Sequence, residues 1–265
     1  MFKYPSLFNS NNNDMKHRDI ILFGVYSDLR TEVARRFLGF LWWILEPVMY
    51  MGAFYIVFGL ALGHSRPGYV PLLLSGMVAW KWFDGSVRQA SNSIQNNAGL
   101  IQQIHVPKYV FALIPVLSNT FKFLIILSLL IVSLLIAGYR PSLEWLALPL
   151  LILNQLLFTI GFGFLLASVL PFVPDLRQVV DNFLMLMMFL SGVFFSIHEI
   201  PASMAPLLNV NPMTVMITAY RDVLLHNQWP AWGEQLYVLA VTLPLLGIAL
   251  WILQRNDRKY PKLLF

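Results

Sequence analysis

Long apolar runs alternate with short polar ones along this chain, and the runs have the length of a bilayer. A helix needs roughly 20 apolar residues to cross the hydrocarbon core. Six stretches qualify, at about 38–62, 69–89, 117–137, 145–170, 178–197 and 235–253. Polar residues interrupt the second and the fifth. Ahead of the first run, Leu22, Val25, Tyr26, Leu29, Val33 and Phe37 recur at helical spacing and form an apolar stripe, while Asp28, Thr31, Glu32, Arg35 and Arg36 take the other side. Glu32 and Arg36 stand four apart, a favourable ion-pair spacing. The pattern predicts an amphipathic helix, lying in the membrane interface or packed on a soluble partner.

The predicted fold is all-α and integral to the membrane. It divides into a cytoplasmic segment at 1–34, a six-span domain at 35–255 and a cytoplasmic tail at 256–265. Spans two and three are joined by the polar, Asn/Gln-rich segment 89–109, which carries a short apolar run, Leu100, Ile101 and Ile104. Pro107 signals a helix restart there. Such a segment is either a docking surface on the inner face or an ordinary connecting helix. Between spans five and six, residues 198–233 hold four prolines and the interfacial pair Trp229 and Trp232. Asn211 is the expected N-cap and Pro212 the first position of a helix too short and too polar at its end to span. Two short helices dipping into the outer leaflet are expected.

Composition makes the membrane reading firm. Hydrophobic residues make up 58% and charged residues only 12%, about half the roughly 25% charge of an ordinary soluble domain. A soluble enzyme, a disordered tail and a nucleic-acid-binding domain are excluded together, so the net charge of +5 is not a sign of nucleic acid. Its placement is what informs. With both termini inside, thirteen Lys and Arg fall on the cytoplasmic side and three (Arg66, Arg140 and Arg221) outside. The positive-inside rule then fixes the orientation. No secretory signal opens the sequence, so the first span is expected to direct insertion itself.

Catalytic chemistry is not written into this sequence. It has no cysteine, no Gly-Lys-Ser/Thr phosphate loop, no His-Glu-x-x-His and no Gly-x-Ser-x-Gly. The five histidines are scattered, so neither a catalytic centre nor a metal site is expected. Ionisable residues inside spans are functional candidates by default, and these are Glu46, Lys81, Asp84, Lys122 and Asp181. Lys81 and Asp84 stand three apart and are expected to pair locally. Lys122 is expected to snorkel from the inner end of its span. Glu46 precedes Pro47, which frees a backbone carbonyl in the first span. These residues do not string into a proton relay.

Aromatic residues crowd the first span (Trp42, Trp43, Tyr50, Phe54) and the fifth (Phe183, Phe189). Ring faces bind the C–H faces of sugars without demanding a hydroxyl pattern, so they suit a path for a sliding glycan. Lipid-facing bulk and an interfacial belt are the plainer explanation.

Four stretches carry a family resemblance: ARRFLGFLWWILEPVMY (34–50), GMVAWKWFDGSVRQASNSIQNNAGLIQQIHVPKYVFAL (76–113), PDLRQVVDNFLMLMMFLSGVFF (174–195) and NPMTVMITAYRDVLL (211–225). In this order they resemble the permease subunits of type-2 ABC exporters, especially those moving lipid-linked O-antigen, capsule and teichoic acid chains. The resemblance implies a homodimer in the bacterial inner membrane, joined to two copies of a separate ATPase that binds ATP and Mg, with no cofactor in this subunit. Residues 17–36 would be the interfacial helix, about 96–107 the coupling helix seated in the ATPase, and 198–232 the outer gate. It nominates Asn97, Leu100, Ile101, Gln103, Ile104 and His105 as ATPase contacts. The run 102–108 departs from the more basic stretch of many relatives. Arg35 and Arg36 are expected to be either the landing site for an undecaprenyl-diphosphate carrier or plain positive-inside anchors. The rivals are a drug, lipid or ion exporter of the same superfamily, a membrane-bound transferase and a secondary carrier.

Overall fold

The structure is a computed structural model, and it describes residues 17–35, 37–54, 56–57, 68–103, 106–197, 200–201 and 203–263. Those residues form helices and no strand. In chain order they are α1 (His17–Arg35), α2 (Trp42–Phe54), α3 (Tyr69–Ser91), α4 (Ser93–Asn96), α5 (Ala98–Gln103), α6 (Lys108–Ile136), α7 (Leu148–Val169), α8 (Leu176–Leu190), α9 (Ala205–Asn209), α10 (Pro212–Leu225), α11 (Trp232–Arg255) and α12 (Tyr260–Leu263).

Among the described residues, three helical segments are long and apolar enough to cross a membrane: α6, α11, and α7 with the 3-10 turn that leads into it, Leu143–Val169. The other three predicted spans differ in instructive ways. α3 has 23 residues but carries Lys81, Asp84 and Arg88. α2 is described over 13 residues, and the outer part of the predicted first span lies beyond the described ones. α8 stops after 15 residues at Leu190 rather than running to 197. Its stop has a local cause: Gly192 sits at φ 72°, a left-handed conformation that suits glycine and turns the chain.

α7 is the hub on which α3, α6 and α11 pack. With lipid outside as apolar as the helix faces, close backbone approach and interhelical hydrogen bonds hold a bundle together. Both occur here. A Cβ at Gly163 would lie 3.0 Å from the Cβ of Ala90, so glycine lets α3 and α7 touch. Buried Gln155 donates to the carbonyl of Ala79 at 2.9 Å, and Asn154 donates to the carbonyl and side-chain oxygen of Gln235 at 3.0 and 3.1 Å. α10 starts as expected, with the Asn211 side chain accepting from the N–H of Met213 at 3.0 Å. Ten of its 14 residues are buried.

Arg221, counted above among the three outer cations, is buried, with 3% of its surface exposed. Its guanidinium donates to the carbonyls of Gly192 (2.8 Å), Val193 (2.9 Å), Phe195 (2.8 Å) and Leu72 (3.0 Å). The carbonyls where α8 ends have few partners within a helix, and a planar five-donor fork collects several at once. Gly76 leaves room for it, since a Cβ there would come within 2.7 Å of the guanidinium.

Replacing Arg221 with Ala should therefore strand these carbonyls and lower stability by at least the roughly 1–3 kcal/mol that an unsatisfied buried polar group costs. Arg221→Lys, a point donor without the fork, should fall between. Thermal unfolding of the purified protein in detergent checks both; an Ala variant as stable as wild type would refute the clamp.

Candidate functional site

α1 packs on α6, and side chains of α1, α2, α3 and α6 line a half-open cavity of about 310 Å³. Several of the nominated side chains meet there: Trp43 and Tyr50 from α2, Glu46 one turn away, and Lys81 and Asp84 from α3. α1 and α6 add Glu32, Asn119 and Lys122, which the span-by-span reading did not bring to the site.

Most of the charges pair between helices, and one pair runs along α3. Lys81 does not bond Asp84; its ammonium reaches Glu46 at 3.4 Å and sits 4.0 Å over the Tyr50 ring. Asp84 is instead taken by Arg88, one turn on, at 2.8 Å. Arg88 also bonds the Asp181 carboxylate and, at 3.2 Å, the Asp181 backbone carbonyl, so it clasps α3 to α8. Lys122 does not snorkel. With 11% of its side chain exposed, it meets Glu32 of α1 at 2.7 Å, and Trp43 donates to the same carboxylate at 3.3 Å. An ammonium that deep meets a carboxylate at hand more cheaply than it reaches water. Asn119 donates to the Gln89 side chain at 3.0 Å.

The other aromatics do not gather at this cavity. Trp42 is half-buried, and Phe183 and Phe189 are exposed on α8, 43% and 50% respectively. Phe189 stacks on Phe194, ring centres 5.3 Å apart. The side chain of Phe54 lies outside the described residues. Arg35 ends α1 exposed, and Arg36 lies outside the described residues.

The segment nominated as the coupling helix folds as two short turns, α4 and α5, joined at Asn97. The Asn97 side chain donates to the carbonyl of Ser93 at 2.8 Å. The structure divides the nominated contacts. Leu100 (45% exposed) and Gln103 face outward, whereas Ile101 is 2% exposed and turns into the chain's own inner core with Ile94, Val106, Phe111 and Tyr260. Ile104 and His105 lie outside the described residues.

The tail, 256–265 in the sequence reading, braces this segment. α12 packs on α5. Tyr260 is fully buried and donates to the carbonyl of Ser168 at 3.0 Å. Burial, with Asp257 nearby, pushes its phenol above the ordinary range, so it stays a donor. Asp257 accepts from the N–H of Lys108 at 3.1 Å, the first turn of α6. Gln95 reaches the carbonyl of Leu170 at 3.3 Å and ties the segment to the end of α7. In the sequence, the one signal was an acid and a tyrosine set among the basic residues of the tail.

The ABC-2 type transporter family profile matches residues 28–225. The O-antigen export system permease protein RfbA of Klebsiella pneumoniae is 27% identical over 244 residues, 91% of this chain and 93% of its own. RfbA of Myxococcus xanthus is 26% identical over 247 residues, 92% and 95%. The polysialic acid transport protein KpsM of Escherichia coli is 24% identical over 233 residues, 87% and 90%.

Leu100 and Ile101 should separate cleanly by mutation. Ile101→Asp buries an unpaired charge in the inner core and should cost several kcal/mol, with loss of folded yield and a lowered thermal midpoint. Leu100→Asp should leave both unchanged. Equal damage from the two would show that the segment is not oriented as described.

Proposed function

The chain belongs to the ABC-2 type transporter family, and from that premise we propose that it is the transmembrane subunit of an ATP-driven exporter carrying an undecaprenyl-diphosphate-linked polysaccharide, such as O-antigen, across the bacterial inner membrane. The observation that carries the reading is end-to-end similarity to permeases named for polysaccharide export, covering 91% of this chain and 93% of the Klebsiella protein. Export of capsule, teichoic acid, drugs or lipids by the same architecture is the alternative. The names of the relatives favour a glycan among these.

In this reading α2, α3 and α8 join α6, α7 and α11 as six spans, with both termini cytoplasmic. Two copies form a homodimer and bind two copies of a separate ATPase, which holds the ATP and Mg. The outward face of α5, with Leu100 and Gln103 at its surface, seats in the ATPase together with Asn97, Ile104 and His105. Ile101 contributes from within, by fixing that face to the inner core. When the ATPase copies close on ATP, the segment shifts, and the inner core passes the shift to α3, α6, α7 and α11. α2 and α8 then part across the dimer. Their rings, from Trp42, Trp43, Tyr50 and Phe54 to Phe183 and Phe189, offer apolar faces to a glycan that slides past without a fixed hydroxyl pattern. α9 and α10 close the outer mouth. Arg35 and Arg36 take the carrier diphosphate at the inner mouth, where a guanidinium grips phosphate oxygens bidentately.

Deleting the gene in its host should abolish the surface polysaccharide and leave lipid-linked glycan on the cytoplasmic side, read by immunoblot of surface and whole-cell fractions; an unchanged surface polysaccharide would overturn the reading. Purified alone, the chain should hydrolyse no ATP, since it has no phosphate-cradling loop. With Arg35 and Arg36 both replaced by Lys, insertion should be normal but export weakened, because charge is kept and the fork is lost. Full export by that variant would assign the pair to membrane anchoring.

A further inference from the structure

The cavity between α1, α2, α3 and α6 holds about 310 Å³, near the lower bound of the ~300–1,000 Å³ usual for small-molecule sites. That is room for one ring and not for a chain. Its charges argue against an anionic occupant. Each of its two ammonium groups already faces a carboxylate, Lys122 with Glu32 at 2.7 Å and Lys81 with Glu46 at 3.4 Å. The third carboxylate of the lining, Asp84, is engaged by Arg88. A phosphate placed inside would find no surplus positive charge on these groups and would have to break a pair to gain one.

A neutral, hydroxyl-rich ligand meets the opposite situation. An ammonium has three donors and a carboxylate about four acceptor positions, so each pair keeps capacity after bonding its partner. The amides of Gln89 and Asn119, bonded to each other at 3.0 Å, also keep donors and acceptors facing the space. Trp43, half-buried at the lining, supplies an apolar ring beside them. Paired charges, amides and an indole make a lining suited to a sugar.

The cavity also lies beside the place assigned to the diphosphate. Glu32 of the lining and Arg35 stand three residues apart on α1, about 4.5 Å along the helix axis. We propose that the cavity binds the sugar attached directly to the carrier's diphosphate, with the diphosphate itself held outside by Arg35. The proposal rests on the exporter reading above and narrows it. Every glycan, whatever its length, has one such sugar, so this pocket recognises the part of the substrate that all chain lengths share.

The test uses the purified full chain in nanodiscs and two kinds of probe: a short-chain prenyl diphosphate bearing one neutral hexose or N-acetylhexosamine, in a panel of glucose, galactose and their N-acetylated forms, and the same prenyl diphosphate without sugar. At least one sugar-bearing probe should bind about tenfold or more tighter than the bare one, a gain of about 1.4 kcal/mol. Gln89→Leu, at an exposed position where the fold is not at stake, and Asn119→Ala should each erase that preference while keeping affinity for the bare probe. Arg35→Ala should weaken both probes together. If the whole panel binds wild type no tighter than the bare probe, or if both amide variants keep the preference, the pocket is wrong while the exporter reading stands. If wild type binds neither kind of probe, the lipid-diphosphate reading falls with it.

Discussion

A charge or an amide inside the bilayer must find its partner within the protein, and the organisation of this chain follows from that constraint. Water is not there to compensate, so an unmatched group costs several kcal/mol. Each ionisable side chain nominated within the spans is accordingly bonded to another helix or to the next turn: Glu46 to Lys81, Asp84 and Asp181 to Arg88, Lys122 to Glu32. Apolar faces alone give helices in lipid little reason to choose one neighbour over another. The pairs supply the choice. They place α1 on α6 and α2 on α3, and the polar cavity is the space they enclose.

The same constraint explains which features were legible in the sequence. Helices that face lipid must be long and apolar, and so α7 and α11 fall within a few residues of the predicted runs, and α3 within two. The cap of α10 was legible because Asn-Pro is a local signal that needs nothing from elsewhere in the chain. α6 begins nine residues before its predicted run: its first turns carry Lys108 and Pro115, which interrupt the apolar helical signal, and they pack in the core with Ile94 and Ile101. Partner choice was not legible. Lys81 and Asp84 have the right spacing to pair, but spacing says nothing of Glu46 and Arg88, which compete for them. Nor does an apolar run reveal which of two neighbours, Leu100 or Ile101, turns inward. That depends on Tyr260, about 160 residues further along the chain.

Two hydrophobic cores organise the bundle. One gathers around Trp80, Phe83, Phe158 and Tyr220. The second lies where α4 and α5, the start of α6, the ends of α7 and α11 and the tail all meet. Interiors of this kind are close-packed and transmit strain rather than absorb it. α5, anchored in that core by Ile101, is therefore held in common by α6, α7 and α11. The tail closes that inner core through Asp257 and Tyr260.

α8 stands apart from this solidity. Of its 15 residues only Leu184 is buried. Near its start it is tied to α3 through Arg88 and Asp181, and just past its end the chain is gripped by Arg221. Alongside these ties Leu184 is wholly buried and Val180, Met187 and Met188 lean on the main core, while Val179, Phe183, Leu186 and Leu190 stay open. The helix is therefore fastened along one face and bare on the other, like a plank laid on a joist, and only the bare side is left for a second surface to meet.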